Sequence, residues 1–197
     1  MKNPNQGKNL GKAMLVGTAL VSLSSPQQAN AVTFDGAMSA LVLAPIVVTT
    51  TQVLSFGSMS VGATGDTVAI DAVTGARTQG GGGAVALLSG GSVPNPEQRG
   101  VVQIQAATGL QIDIAVTATS YPIGIGGAGG ATTMTVNNFV LATNGGVAGA
   151  PGAGVSTTLT LAATPTTIIG VGATLNVGAN QTAGLYTGIY TVDVNYN

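Results

Sequence analysis

Apolar and polar residues alternate along most of the chain after residue 31, with the two-residue period that places successive side chains on opposite faces of a β-strand. The clearest runs are 110–118, 169–177 and 190–196. The apolar face of the last run consists of Tyr190, Val192, Val194 and Tyr196. No stretch after residue 31 has the period of an amphipathic helix. The pattern therefore predicts half-buried strands in these three segments.

Six further segments are weaker strand candidates, because their alternation is shorter or interrupted. They are 46–56, 67–70, 84–88, 101–106, 132–141 and 157–162. Joints rich in Gly and Pro lie between them and favour turns. Short strands separated by turns predict an all-β fold, specifically an immunoglobulin-like antiparallel β-sandwich of about nine strands. Thr-rich segments recur at unequal spacings, so no fixed period supports a solenoid.

The segment 132–141 changes phase partway along. Its apolar positions are even-numbered up to Val136 and odd-numbered from Phe139 onward. One extra residue in the strand would keep both sets of side chains on the same face. We therefore predict a β-bulge at Asn137-Asn138.

The first 31 residues differ from the rest of the chain. Lysines at positions 2, 8 and 12 precede an apolar run over 13–23, and Ala29-Asn30-Ala31 follows as a small-x-small site. This arrangement predicts a secretory signal peptide, residues 1–31, cleaved before Val32. An N-terminal anchor helix is the alternative, but the run is shorter than the about 20 residues that span a membrane. We expect an exported protein, in the periplasm, at the cell surface or outside the cell, without a transmembrane segment in the mature chain.

The mature chain is sparsely charged. Charged residues make up 6% of the sequence, and after residue 31 the only basic residues are Arg77 and Arg99, against six acidic ones. Nucleic acid binding depends largely on Lys and Arg contacts to phosphates, so nucleic acid is excluded as a partner. The chain also lacks Cys, and the predicted fold must be held together by buried apolar surface.

Groups for catalysis are scarce. The sequence has no His and no Cys, and without Lys in the mature chain a Ser nucleophile has no base. The acidic residues do not cluster in sequence, and the dinucleotide-like motif over 124–129 is followed by a strand pattern instead of the required helix. We predict no catalytic residue, no metal site and no cofactor. An enzyme would need carboxylates that the fold brings together.

The C-terminal tail consists of Gly184 followed by the alternating strand whose last aromatic residue, Tyr196, is penultimate in the chain. This tail resembles the C-terminal signature of pilus subunits of the chaperone–usher pathway. The resemblance implies a pilin-like subunit that lacks its last strand, with a groove filled first by a periplasmic chaperone and then by the N-terminal extension of the next subunit. The candidate assembly residues of the tail are Gly184, Tyr190, Val192, Val194 and Tyr196.

A longer set of segments covers residues 45–197. It comprises Leu54-Ser55-Phe56-Gly57, Thr74-Gly75-Ala76-Arg77, Met134-Thr135-Val136-Asn137-Asn138-Phe139, Val171-Gly172-Ala173-Thr174-Leu175-Asn176-Val177-Gly178, Gly184-Leu185-Tyr186-Thr187-Gly188 and Val192-Asp193-Val194-Asn195-Tyr196. Together these resemble the bacterial exported family named domain of unknown function 4402. The resemblance implies an exported, pilin-like or surface-associated β-sandwich and no active site. Many chaperone–usher subunits carry a disulfide at their first strands, which this Cys-free chain does not share.

Residues 32–44 form an apolar extension before this domain, ended by Pro45. In an extended chain Met38, Ala40 and Val42 share one face, and Ala37, Leu41 and Leu43 share the other. The extension could lie as a donor strand in a neighbour's groove. It could equally be an ordinary first strand or a frayed terminus, and both interpretations stay open.

The leading hypothesis is a structural subunit of a bacterial surface fibre or pilus-like assembly, joined by β-strand donation. Its expected partners are further copies of the same chain, a periplasmic chaperone and an usher. The alternative is a secreted or surface-displayed β-sandwich module that binds carbohydrate or matrix. That module would need an exposed aromatic ring, and Tyr121 beside the Gly-rich loop is the candidate.

Overall fold

The computed structural model describes residues 33–82, 85–88, 95–143, 146–148, 158–162 and 164–197. The chain divides into two compact units, 1–40 and 41–197. The described residues of the first unit form neither strand nor helix, and they are exposed. The predicted signal peptide and its cleavage residues Ala29, Ala31 and Val32 lie outside the described residues.

The second unit is all-β, and the residues described in it form sixteen strands and no helix. The strands are β1 (Val47–Gln52), β2 (Ser55–Phe56), β3 (Met59–Val61), β4 (Asp66–Ile70), β5 (Arg77–Gln79), β6 (Val85–Leu87), β7 (Glu97–Gln98), β8 (Gly100–Gln105), β9 (Gln111–Val116), β10 (Ser120–Ile125), β11 (Thr133–Thr143), β12 (Gly146–Ala148), β13 (Thr158–Ala162), β14 (Thr167–Val177), β15 (Tyr186–Thr187) and β16 (Val192–Tyr196). Every pairing between them is antiparallel. Over these described ranges, no helix has the length and apolar character needed to cross a membrane. The prediction of an all-β antiparallel fold is confirmed.

Nine strands form the large sheet, in which the main order is β1-β8-β14-β11-β10-β15. β12 lies beside β11, and β4 joins β14 to β5. β14 is the centre of the sheet, because its first half pairs with β8 and its second half with β4, while β11 follows its other edge. Gly170 and Gly172 are needed on its outer face, since a Cβ at either position would overlap the carbonyl oxygen of Ala72 or Ile70.

The smaller sheet has the order β13-β9-β16. Its central strand, β9, completely buries its even-numbered side chains from Ile112 to Val116. These side chains join the inward-facing residues of β8, β11 and β14 in one hydrophobic core. The segments 110–118, 169–177 and 190–196 correspond to β9, β14 and β16, so the three clearest strand predictions are confirmed.

The phase change in β11 is a β-bulge, as predicted. The register between β11 and β14 shifts between Asn137 and Val140. Asn138 has a φ of 50°, a left-handed conformation that Asn adopts more readily than most residues. Because of the extra residue, Val136 and Phe139 both face the core and are buried.

The alternation of apolar and polar residues did not predict β10. This strand contains Pro122 and Gly124, two residue types that are depleted in strands. Pro122 is tolerated because β10 lies near the end of the sheet. Among the described strands, β11 pairs along one edge of β10, and the two-residue strand β15 pairs with the other edge at Gly124 and Ile125 alone. The predicted Gly-rich loop over 124–129 therefore begins after Ile125, and Tyr121 lies inside a strand instead of at a loop edge.

The prediction of about nine strands is too low. Two separate pairs, β2 with β7 and β3 with β6, accompany the two sheets. Strands of two or three residues, such as β5 and β7, are too short to show a period in the sequence. The single strand predicted for 46–56 is divided into β1 and β2.

Candidate binding groove

An apolar groove with a volume of about 1030 Å³ lies in the second unit. Its walls come from β1, β8, β10, β11, β14 and β16, and from the segments 53–61 and 181–190. Among the described residues that line it, none is charged. The described residues also contain no cluster of three His, Cys, Asp or Glu side chains that could hold a metal ion. Such a lining favours an apolar ligand, because a charged one would lose its hydration without gaining a partner.

The floor of the groove is formed by three adjacent strands of the large sheet. Its side chains are Ile123 of β10, Met134 and Val136 of β11, and Leu175 and Val177 of β14. They share one face because side chains alternate along each strand. The register places Ile123 opposite Met134 and Val136 opposite Leu175, so the floor is a continuous apolar surface.

One wall of the groove is β16, an edge strand. In the part of the chain that the structure describes, β16 pairs with β9 alone. The amide of Thr117 donates to the carbonyl of Thr191 at 3.3 Å, and the amide of Asn197 donates to the carbonyl of Gln111 at 3.0 Å. The odd-numbered residues thus direct their backbone groups to β9. The residues whose N–H and C=O face the open edge are Val192, Val194 and Tyr196. Such an edge is a template for a further strand.

The opposite wall is β1. Its pairing with β8 places Val48 beside Ile104 and Thr50 beside Val102, on the side of the sheet that faces the core. Ile104 and Val102 are buried, whereas Val48 is 45% exposed. At Val48 the core-facing side of β1 is therefore exposed, although the same side of the neighbouring strand β8 is buried.

Two tyrosines fix β16 against the segments that flank β1. Outside the groove lining, the hydroxyl of Tyr196 donates to the carbonyl of Ala44 and accepts from the amide of Ala107, both at 2.8 Å. Within the groove, Tyr190 and Leu54 approach each other over Gly100, where a Cβ would lie 2.6 Å from the Tyr190 hydroxyl. β1 and β16 therefore flank the groove in opposite directions.

Three aromatic rings pack together beside the groove floor. Tyr121 meets Phe139 edge-on at 5.4 Å between ring centroids, and Tyr190 lies 5.5 Å from Phe139. Burial raises the pKa of Tyr190. Burial also acts to raise the pKa of Tyr121, but hydrogen bonds with Thr117 and Thr191 outweigh it and lower that pKa. Part of the ring of Tyr121, the candidate for binding carbohydrate, is therefore covered by the neighbouring rings of the cluster.

The segment 181–190 crosses from the large sheet to β16 and covers part of the groove. Gly184 and Gly188 allow it to lie against β10, because a Cβ would come 2.6 Å from the Ile125 side chain or 2.5 Å from the Pro122 carbonyl. The predicted assembly residue Gly184 thus lies in this crossing segment and not on β16. Leu185 of the same segment is largely exposed at the groove.

The predicted assembly residues fall into four places. Gly184, Tyr190 and Val192 line the groove, and Val194 and Tyr196 pack against the core. Met38 and Ala40 belong to the first unit and are exposed. Leu41, Val42 and Leu43 begin the second unit outside any strand, and Val42 is 91% exposed.

Sequence reasoning missed the part played by Arg77. Its Nη1 donates to the carbonyls of Phe56 and Ser58, each at 3.0 Å, and its Nη2 donates to the carbonyl of Leu88 at 2.8 Å. Glu97 lies 3.6 Å away and balances the charge. These hydrogen bonds fix the backbone of residues that line the groove. In the sequence, the only signal for Arg77 was its position at the end of one of the segments that carry the family resemblance.

The fold and the groove define an all-β domain with an uncharged apolar groove beside an open strand edge. The chain belongs to the family described as domain of unknown function (DUF4402), whose profile matches residues 46–196. This match confirms the family resemblance of the sequence. Neither a curated protein nor a solved structure matches the chain.

Proposed function

We propose that this protein is an exported structural subunit of a bacterial surface fibre or pilus-like assembly, in which residues 32–44 of one copy are donated as a strand to the groove of the next. The observation that carries the proposal is the position of an uncharged apolar groove directly beside the open edge of β16. A strand added there would bond to the outward N–H and C=O groups of β16, and its alternate side chains would cover exposed lining residues such as Val48 and Leu185.

The extension has the chemistry that this groove needs. Met38 is 98% exposed and Val42 is 91% exposed, and fully burying a side chain of this size contributes about 1.5–3 kcal/mol. Asp35 is the only charged residue between positions 32 and 44. A joint of main-chain hydrogen bonds and apolar contacts would hold without a disulfide, which suits a chain that has no Cys.

The proposal includes the finer interpretation of the fold. The two sheets would make an immunoglobulin-like, pilin-like sandwich from which one strand is missing, and the donated strand would complete it. The signal peptide would carry the chain across the inner membrane. A periplasmic chaperone would cover the groove until the next copy arrives, and an usher would export the growing assembly. The role is structural and not enzymatic.

The test compares the mature chain, beginning at residue 32, with a shortened chain beginning at residue 45. We expect the mature chain to form multimers that survive denaturing gels without boiling, and the shortened chain to remain monomeric in light scattering. Circular dichroism of both chains checks that β-structure is kept. Two folded monomers would overturn the proposal and would favour the carbohydrate- or matrix-binding module.

A further inference from the structure

We infer that the hydroxyl of Tyr196 keeps the N-terminal extension out of the groove of its own chain, so that the strand filling this groove comes from a second copy. The inference rests on the proposed function, and it adds what selects the donor. Tyr196 is in this sense a positioning residue for the joint, because it acts on the start of the extension through Ala44.

The direction of β1 is the first step. Ala44 is held by Tyr196 outside the groove lining, and Leu54 lies beside Tyr190 within it. The chain therefore enters β1 from the Tyr196 side and reaches the groove wall at Val48 and Thr50. A chain that stays extended before Ala44 continues the line of β1 away from the groove. To enter its own groove, the extension would have to reverse direction just before β1.

The second step is the turn that this reversal needs. A β-turn over residues 44–47 would have Pro45 at its second position, which is favourable. The carbonyl of Ala44 would then accept the amide of Val47, the usual hydrogen bond of such a turn. In the structure the carbonyl of Ala44 instead accepts the hydroxyl of Tyr196, and residues 44–46 form no turn. The hydrogen bond from the tyrosine anchors this carbonyl on the path without a turn, and a reversal of the chain would have to move it.

The third step is how firmly the hydroxyl is held. The ring of Tyr196 packs against the core, and its backbone is fixed by pairing opposite Ile112. Its oxygen also accepts the amide of Ala107. The hydroxyl is therefore placed independently of the extension. Leu41 and Val42, just upstream of the Ala44 carbonyl, are 81% and 91% exposed. Because these side chains are hardly buried, they do not oppose the direction that the hydrogen bond gives to the chain.

The experiment uses disulfide trapping, which is clean because the chain contains no Cys. Asp193→Cys places a thiol on the outer face of β16, and Ser39→Cys or Leu41→Cys places one on the odd-numbered face of the extension. A strand paired along β16 brings two such Cα atoms within disulfide range, about 4.4–6.8 Å. Bonds between copies give a ladder on non-reducing gels, and bonds within one chain give a compact monomer whose yield does not depend on protein concentration.

We expect a ladder from the double-Cys mature chain, and at most dimers from each single-Cys control. Adding Tyr196→Phe removes the hydroxyl but keeps the ring, and should shift the ratio of monomeric to ladder product about two- to tenfold, the effect of one hydrogen bond. Thr164→Val is the control for the loss of one hydroxyl hydrogen bond, because the Thr164 hydroxyl donates to the carbonyl of Thr166 and Thr164 does not line the groove.

The outcomes separate the two proposals. A compact monomer already in the parent chain would overturn both, because the extension would then fill the groove of its own chain. An unchanged ladder with Tyr196→Phe, in a chain with unchanged circular dichroism, would overturn the inference alone. No disulfide with either extension position, in any background, would overturn the proposed function and the inference together.

Discussion

β9 and β16 are neighbours in the small sheet and carry the same alternating pattern, but only β9 is fully covered. β9 pairs along both edges, and Ile112 and Ile114 have no exposed surface. β16 pairs along one edge, and its core-facing residues Val192 and Val194 are half-buried. The apolar groove begins at Val192. The two strands have nearly the same alternation of apolar and polar residues. They differ in how far other strands cover their core-facing side chains and their backbone edges.

This difference shows what an alternating pattern can report. The pattern indicates which face of a strand seeks burial, but it does not say which segment buries it. For β9 the covering residues come from the same chain. For β16, the described residues leave one backbone edge unpaired and part of the apolar face uncovered. The fully buried side chains stabilise the fold, whereas the uncovered edge and face can still gain free energy when a further strand binds.

The largest expected effect comes from proline at adjacent positions of β16, which tests its two edges separately. Asn195 directs its backbone groups to β9, opposite Asp113, whereas those of Val194 face the open edge. Asn195→Pro removes an N–H from the sheet ladder, and we expect it to lower the free energy of unfolding by about 3 kcal/mol. Val194→Pro should lower it by less than about 1 kcal/mol. Urea unfolding measures both variants.

The same pair of prolines also separates folding from assembly. Val194→Pro removes a donor that an added strand would use, so multimers of the mature chain should be lost while the monomer stays folded. Light scattering at matched concentrations records the loss. If Val194→Pro and Asn195→Pro destabilise the monomer equally, both edges of β16 are engaged within the chain and the open-edge description is wrong.

A smaller effect is expected from two identical truncations at a cross-strand pair. Val116 of β9 lies directly opposite Val192 of β16. Val116→Ala opens a cavity in a closed part of the core and should cost about 1.5–3 kcal/mol. Val192→Ala enlarges a groove that already exists, so its cost in the monomer should stay below about 1 kcal/mol. Thermal unfolding of the shortened chain compares them, and equal costs would contradict the contrast between the strands.

Much of the fold could be predicted from the sequence, because β9, β14 and β16 bury one face each and the period of two survives in them. The bulge at Asn137 was also visible, since a phase change leaves a trace in the apolar positions. β10 was not, because Pro122 and Gly124 interrupt the pattern where the sheet nearly ends. Gly184 was assigned to the tail strand, but it serves a close approach to Ile125, which no local pattern reveals.

The groove itself could not be predicted. A void depends on which segments fail to meet in space, and its walls come from residues as distant in sequence as Val48 and Val192. The resemblance of the C-terminal tail to pilus subunits implied that the fold lacks a strand, but it did not indicate where that strand would lie. The hydrogen bond between Tyr196 and Ala44 spans 152 positions, so it too lies beyond any reading of neighbouring residues.

The smallest expected effect is a pH-dependent one, and it concerns two tyrosines that both line the groove. Burial raises the pKa of Tyr190 above the ordinary 10.0. Its contribution to stability is therefore complete below pH 10 and is lost as the pH rises through the raised pKa. For Tyr121 burial opposes the shift, but hydrogen bonds lower the pKa, so its contribution has the opposite sign.

Ultraviolet absorbance of tyrosinate should thus show one group titrating above pH 10 that Tyr190→Phe removes, and one titrating below it that Tyr121→Phe removes. A strand that fills the groove excludes further water from both rings and should move both titrations to higher pH. The two Phe variants assign each shift to its own ring, although both rings touch Phe139. If assembly leaves both titrations where they are in the monomer, the incoming strand does not lie in this groove.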